Sequence, residues 1–380
     1  MPLSLYLDSK ISSTQHDSGI ENNMKLPQSL AAVLAIVFSF NATTSPAAAQ
    51  DSSPGVGDSL YVPGEYRIFT GDGSPATMED IAAAMSQSQV VFIGETHDDP
   101  TGHMIEFELL KKAYEISLDA GDGEGQGRTV ALSLEFFQND VQRIVDEYLA
   151  DLITEKAFLA DSRPWPRYKT DYRPLVEFSK ENGLAVIAAN APRRYANRAT
   201  RLGRESLGEL DEEARRFLPP LPYGEPSKAY RDQWIQAIME VMEEEKMKCG
   251  KPIVAEPAEE GAEKGEADQA PPAGAHSNLG NQLHSQVLWD ASMAYRVSEY
   301  LAANPDALVL HMVGSFHVAR GTGAPEHLEA YRPGTSSMTV VIRPVEDVEA
   351  FEQAPSGTWG DFVIQTDESH TLEAIECAST

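Results

Sequence analysis

Four short apolar runs, each ending abruptly in polar residues, constrain this chain more than any other feature. They occupy residues 90–93 (VVFI), 129–134 (TVALSL), 184–189 (LAVIAA) and 307–313 (ALVLHMV). Each is too short for a helix of ordinary length and is flanked by glycine or polar residues, so each reads as a strand buried on both faces. Between them lie amphipathic stretches. Residues 103–116 place Ile105, Leu109, Leu110 and Ala113 at helical spacing, and 140–152, 173–181 and 286–302 also read as helices. Strands alternating with helices predict an α/β fold: a mostly parallel sheet flanked by helices on both faces. Residues 338–342 and 362–364 read as later strands near the sheet edge.

The rest of the chain is organised around that unit. From 195 to 248 the strand signal vanishes, and helical patterns broken by Pro219, Pro220 and Pro222 predict a small helical insertion subdomain. Residues 249–285 are mostly low in complexity, rich in Glu, Ala, Gly, Pro and Lys, and read as a flexible loop. The α/β domain is therefore expected over 61–194 and 286–370. Residues 1–49 read as a signal segment. Met24 and Lys25 precede an apolar run at 30–40 (LAAVLAIVFSF), and Ala47, Ala48 and Ala49 offer a small-residue cleavage site. That order predicts a translation start at Met24, and an exported chain, periplasmic or extracellular, with no stable membrane anchor once the signal is removed. Residues 50–60 read as a disordered tail.

A formal charge of -29 repels phosphate backbones, so nucleic acid is not an expected partner. The two cysteines, Cys249 and Cys377, do not have zinc-site spacing.

The polar residues that end the four strands carry the chemistry. They are Glu95 and His97 in GETHDD, Glu135 in LEFF, Arg193 and Arg194 in NAPRR, and His317 in GSFH. In an open parallel sheet these ends share the edge where ligands bind. Glu95 and His97, two apart, point the same way on an extended segment, and can bind a metal or share a proton. Gly94 and Gly314 each stand three residues before a histidine, where a tight turn would fold the imidazole back over the strand end. Hydrogen-bonded turn histidines are the plainer alternative.

Glu135 lies in apolar surroundings and needs a partner, for which Arg193 and Arg194 are the candidates. His103, with Glu106 three residues on, is read either as part of the same crevice or as a helix cap. His311 reads as a core histidine bonded to backbone. Met239, Met242, Met247, Cys249 and His276 are soft donors, better read as packing or surface residues. The segment 165–172 (WPRYKTDY) is aromatic and basic. A tyrosine there could ligate ferric haem, with Arg or Lys holding the propionates; packing of a loop on the sheet is the alternative.

GETHDDPTGH, LEFF, DYRPLVEFSKENGLAVIAANAPRR, LWDASMA and GSFH, in this order, resemble the ChaN family of haem-binding, iron-regulated proteins, within the wider Tiki group. The resemblance covers about 80–344. It implies haem as cofactor, bound between the subunits of a homodimer. It also implies a tyrosine on iron, for which Tyr168 and Tyr172 are candidates, with Arg193 as a propionate partner. Elsewhere in the Tiki group, the paired GxxH histidines and a glutamate serve a metal-dependent protease. That implies the alternative of a divalent metal on His97, His317 and Glu95, with Glu95 or Glu135 as catalytic base. Two departures stand out. The anchoring cysteine of many haem-linked relatives is absent, and a long polar loop interrupts the helical insertion.

Overall fold

The computed structural model describes residues 64–119, 128–244, 247–248, 251–252 and 279–372. The expected signal segment, the tail at 50–60, Cys249, His276 and most of the low-complexity stretch lie outside the described residues.

Seven strands form one sheet: β1 (Tyr66–Thr70), β2 (Val90–Glu95), β3 (Val130–Gln138), β4 (Ala185–Asn190), β5 (Leu308–Gly314), β6 (Ser337–Val345) and β7 (Phe362–Asp367). Their spatial order is β1-β7-β6-β2-β5-β3-β4. Every neighbouring pair is parallel except β1 with β7. Every residue of β2 and β5 is buried, which is why those runs are apolar rather than alternating. A fully buried Val, Ile or Leu contributes about 1.5–3 kcal/mol each.

Helices cover both faces. On one face lie α1 (Met78–Met85), α2 (Pro100–Asp119), α3 (Gln142–Leu149), α4 (Glu155–Ser162) and α5 (Arg173–Glu181). Their side chains, among them Ile105, Leu109, Val145 and Leu175, pack with Val91, Ile93, Leu132 and Leu134 of the sheet. Thr77 and Asp80 close a reciprocal capping box at the start of α1.

The chain continues through α6 (Arg193–Leu202), α7 (Glu212–Arg215), α8 (Lys228–Glu244), α9 (Leu279–Ala303) and α10 (Ala324–Tyr331). On the other face, Met293, Ala294, Val297 and Leu301 of α9 meet Val90, Phe92, Ala131 and Val309. A third cluster joins Tyr195 and Ala199 of α6, Tyr230 of α8 and Leu288 of α9. The segment read as a helical insertion thus packs its described helices on the N-terminal half of α9. Residues 247–248 and 251–252 form a separate two-stranded pair. No described helix is long and apolar enough to cross a membrane.

Three elements differ from the sequence reading. β1 carries no apolar run and forms the antiparallel edge, so the alternation rule misses it. β6 is an interior strand, paired with both β2 and β7, although its apolar run is short. β3 continues through Glu135, Phe136 and Phe137 to Gln138, with a register shift against β4 beyond Leu134.

The topology sets the site. The chain runs from β2 to β3, leaving a gap that β5 later fills. Glu95 pairs with Gly314 and Leu134 with Met312, so the C-terminal ends of β2, β5 and β3 lie side by side.

Candidate functional site

Strand parity separates the two strand-end carboxylates. Glu95 shares the face of Val91 and Ile93, toward α2, whereas Glu135 shares the face of Ala131, toward α9. Both are buried.

On the α2 side, Glu95 Oε1 stands 2.6 Å from His97 Nδ1 and accepts from the Tyr172 hydroxyl at 3.0 Å. Its Oε2 lies 3.0 Å from His103 Nδ1, which is also 3.0 Å from Glu106 Oε2. His103 Nε2 donates to the His97 carbonyl at 3.1 Å, and the Arg167 guanidinium donates to the same oxygen. Tyr172 closes a π-helical turn, Tyr168–Tyr172, that stacks its ring on Phe136 at 3.5 Å. Such turns recur at functional sites.

On the α9 side, Glu135 Oε2 accepts the Gly314 N–H at 2.8 Å, and its Oε1 is 3.6 Å from His317 Nε2. His317 Nδ1 faces Asp290 Oδ1 at 2.7 Å, and the other Asp290 oxygen accepts from Tyr230. The Gln286 amide faces His317 Nε2 at 3.2 Å.

His97 sits where the two halves meet. A Cβ on Gly314 would lie 3.0 Å from His97 Cε1, 3.2 Å from its Nε2 and 3.6 Å from Glu135 Oε2. Glycine is needed here for close approach: Gly314 has a φ of -54°, so no left-handed turn is involved. At Gly94 a Cβ would come within 2.8 Å of Val318 Cγ2, again a packing demand. The turn expected of these two glycines is thus replaced by backbone proximity. The His97 side chain is 46% exposed, and its ring lies nearly perpendicular to that of Trp165, with centroids 4.9 Å apart.

These contacts set the charges. Burial opposes ionisation of Glu95, yet the His103 and His97 imidazoles hold its carboxyl well below the usual range. Burial and the nearby charge of Glu95 push Glu106 well above it. Burial also works against a charged His103 and a charged His97, but Glu95 raises both. For His317, the carboxylates of Asp290 and Glu135 outweigh burial and raise it to about 9.

The sequence candidates therefore divide. Glu95, His97, His103 and Tyr172 come together on one face, Glu135 and His317 on the other, and His97 and Gly314 join them. The arginines do not partner Glu135 as expected. Arg194 pairs with Asp140, which also holds Arg163, and lies 4.5 Å over the Tyr195 ring. Arg193 is exposed at the start of α6, its backbone N–H bound to Gln138. Glu135 has a backbone donor and an imidazole instead.

Tyr168 is buried among Phe137 and Phe158, and its hydroxyl has no hydrogen-bond partner. His311 is a buried core histidine that meets Ser133, its backbone as expected and also, at 2.9 Å, its hydroxyl. Met239 is exposed. The donor atoms of Glu95, His103 and Glu106 lie within 4.8 Å of one another; among the described residues, those of His97, His317 and Glu95 do not form such a group. The sheet itself separates Glu95 from His317.

Sequence reasoning missed Asp290, Tyr230, Gln286 and Arg167. Asp290 had a signal: it falls inside the buried stripe Val287, Ala291, Ala294 and Val297 of α9, where an acid needs a partner.

Residues 81–328, about two thirds of the chain, match the family model described as haem-binding uptake, Tiki superfamily, ChaN. The chain belongs to this ChaN family. A solved structure titled as cofacial heme binding to ChaN of Campylobacter jejuni is similar in fold, with a TM-score of 0.53 and 14% identity, covering 79% of this chain and 96% of that one. The type III effector HopBA1 is similar at a TM-score of 0.37 and 12% identity, over 76% and 91% of the two chains. The protein RETICULATA-RELATED 5, chloroplastic, of Arabidopsis thaliana is 21% identical over 264 residues, 68% of this chain. The chain spans 31% of that curated relative's length.

Proposed function

We propose that this ChaN-family chain binds haem at the strand-end edge, with His97 on the iron. The observation that carries the reading is a half-exposed imidazole, fixed at Nδ1 by a buried carboxylate, beside Arg167 in a strongly acidic chain. Hydrogen bonding at one ring nitrogen orients the other toward a metal and raises its basicity. Arg167 donates to the His97 carbonyl, while Arg163 and Arg194 share Asp140. These three, with Arg193, supply guanidinium donors for two propionates. Trp165 places an aromatic ring beside His97.

The tyrosines expected on iron do not fit that role. The Tyr172 hydroxyl is spent on Glu95, and Tyr168 is enclosed by aromatic rings. Burial, with nearby negative charge, raises both phenols above their ordinary value, which disfavours phenolate. Haem would supply the redox-active iron, and the chain supplies orientation and charge balance. Uptake or storage of haem, a homodimeric holo form and export after loss of the leader are parts of the same proposal. N-terminal sequencing of the native chain tests the last: a terminus near Gln50 supports export, and an intact Met24 or Met1 terminus counts against it.

The test of binding is a haemin titration of the 50–380 chain by absorbance, with size-exclusion chromatography on the same samples. A saturable Soret band and a shift to dimer support the proposal. A featureless, non-saturating spectrum overturns it.

One observation favours a second reading, hydrolysis of a peptide or ester. His317 lies between Asp290 and Glu135, an arrangement suited to acid–base work. A peptidase or esterase activity abolished by His317→Ala would support it, and full activity in that variant would exclude it.

A further inference from the structure

We propose that Glu95, His103 and Glu106 hold a divalent first-row cation, such as Zn²⁺ or Mn²⁺, at the N-terminal end of α2. This site shares Glu95 with the proposed haem edge, where the other oxygen of that carboxylate fixes His97, but it does not need haem to form.

The helix and the strand build it together. His103 and Glu106 are three apart in the first turns of α2, so they share one helix face. Glu95, the last residue of β2, faces that helix by strand parity. His103 Nδ1 is 3.0 Å from Glu95 Oε2 and 3.0 Å from Glu106 Oε2. Donors about 3 Å apart are what a single ion needs, since each oxygen or nitrogen lies about 2.0–2.2 Å from it.

Hydrogen bonding of the imidazole points the same way. His103 Nε2 faces the His97 carbonyl, which can only accept, so Nε2 carries a proton. Nδ1 faces both carboxylates, where a bound cation would take the place of the proton that otherwise bridges them. A cation between them satisfies all three, and the Nε2–H bond to a backbone carbonyl is the usual outer support of a metal-bound histidine.

A second, independent observation comes from the oxygens. Glu106 Oε1 is buried with no hydrogen-bond partner, and Glu95 Oε2 faces only the His103 ring. Glu106 is 0% exposed and Glu95 2%. Orphaned carboxylate oxygens at that depth are costly unless a cation takes them. The other Glu95 oxygen is already used by Tyr172 and His97, which fixes the carboxylate plane with Oε2 toward α2. One imidazole and two carboxylates suit zinc or manganese rather than copper(I), which prefers sulfur.

The experiment uses untagged, haem-free chain stripped with EDTA. It is dialysed against Zn²⁺ or Mn²⁺ alone, and bound metal is counted by mass spectrometry. One equivalent is expected on the wild type and on Glu108→Gln, a half-buried control on the same helix that pairs with Lys111. Glu106→Gln should bind at least about tenfold more weakly. Melting curves guard against a folding artefact: Glu106→Gln should melt cooperatively in EDTA, while the wild type and Glu108→Gln gain more melting temperature than it does on adding metal. No stoichiometric metal on the wild type, or undiminished binding by Glu106→Gln, overturns the proposal.

Discussion

His317 and Asp290 form a buried imidazole–carboxylate pair, with Nδ1 2.7 Å from Oδ1 and the second Asp290 oxygen accepting from Tyr230. Burial works against the charged ring, but Asp290 and Glu135 raise it from 6.5 to about 9. The folded state thus holds this proton more tightly than the unfolded chain. The stability it contributes is complete below pH 6.5 and is lost as pH rises through 9. Between those limits we expect a loss on the order of 3 kcal/mol, read by urea denaturation across pH. His317→Asn should flatten that slope; an unchanged slope would remove His317 from the account.

His311 predicts the opposite limb. It is fully buried, and burial, aided by the charge of His317, lowers it to about 3. The unfolded ring protonates near 6.5 while the folded ring stays neutral, so its contribution is complete above pH 6.5 and is lost as pH falls toward 3. Its Nδ1 bonds the Ser133 hydroxyl, while Nε2 is unpartnered. Ser133→Ala should therefore cost about 1–3 kcal/mol at neutral pH. A change under half of that, measured in urea, would mean the bond contributes little.

Gly314→Ala tests the floor beneath His97. The new methyl would meet the imidazole at 3.0–3.2 Å. We expect the ring to be displaced at a cost of about 1–3 kcal/mol, with haemin affinity falling alongside thermal stability. Unaltered haemin binding would show that the His97 position does not matter to the ligand.

The arginine rim should act through charge. Arg193→Ala with Arg194→Ala removes two guanidiniums, one exposed and one sharing Asp140. Haemin affinity should drop at least about tenfold, since hydrogen bonds to charged groups contribute about 1.5–3 kcal/mol. The loss should shrink in high salt. Equal affinity in the double variant would place the propionates elsewhere.

Much of this site is legible in the sequence. Apolar runs with abrupt polar ends mark β2, β3, β4 and β5, and parallel topology then brings Glu95, His97, Glu135 and His317 to one edge. The face taken by each carboxylate is not legible that way. It depends on where each strand stops, and β3 runs four residues past its apolar stretch, through Glu135 to Gln138. Partners are harder still. The Arg193 and Arg194 pairing looked natural for Glu135, but a backbone amide of the adjacent strand reaches it first. Asp290 lies 155 positions from Glu135 along the chain, and only the packing of α9 against the sheet joins it to His317. The aromatic character of 165–172 is plain, yet the π-helical turn that buries Tyr172 against Phe136 has no sequence signature.

The most direct measurement is a haemin titration of three chains side by side: wild type, His97→Ala and Tyr172→Phe. The account predicts a saturable Soret band in the wild type, its loss in His97→Ala, and its retention in Tyr172→Phe with about 1 kcal/mol less stability. No saturable band in the wild type, or a band lost in Tyr172→Phe and kept in His97→Ala, would contradict it.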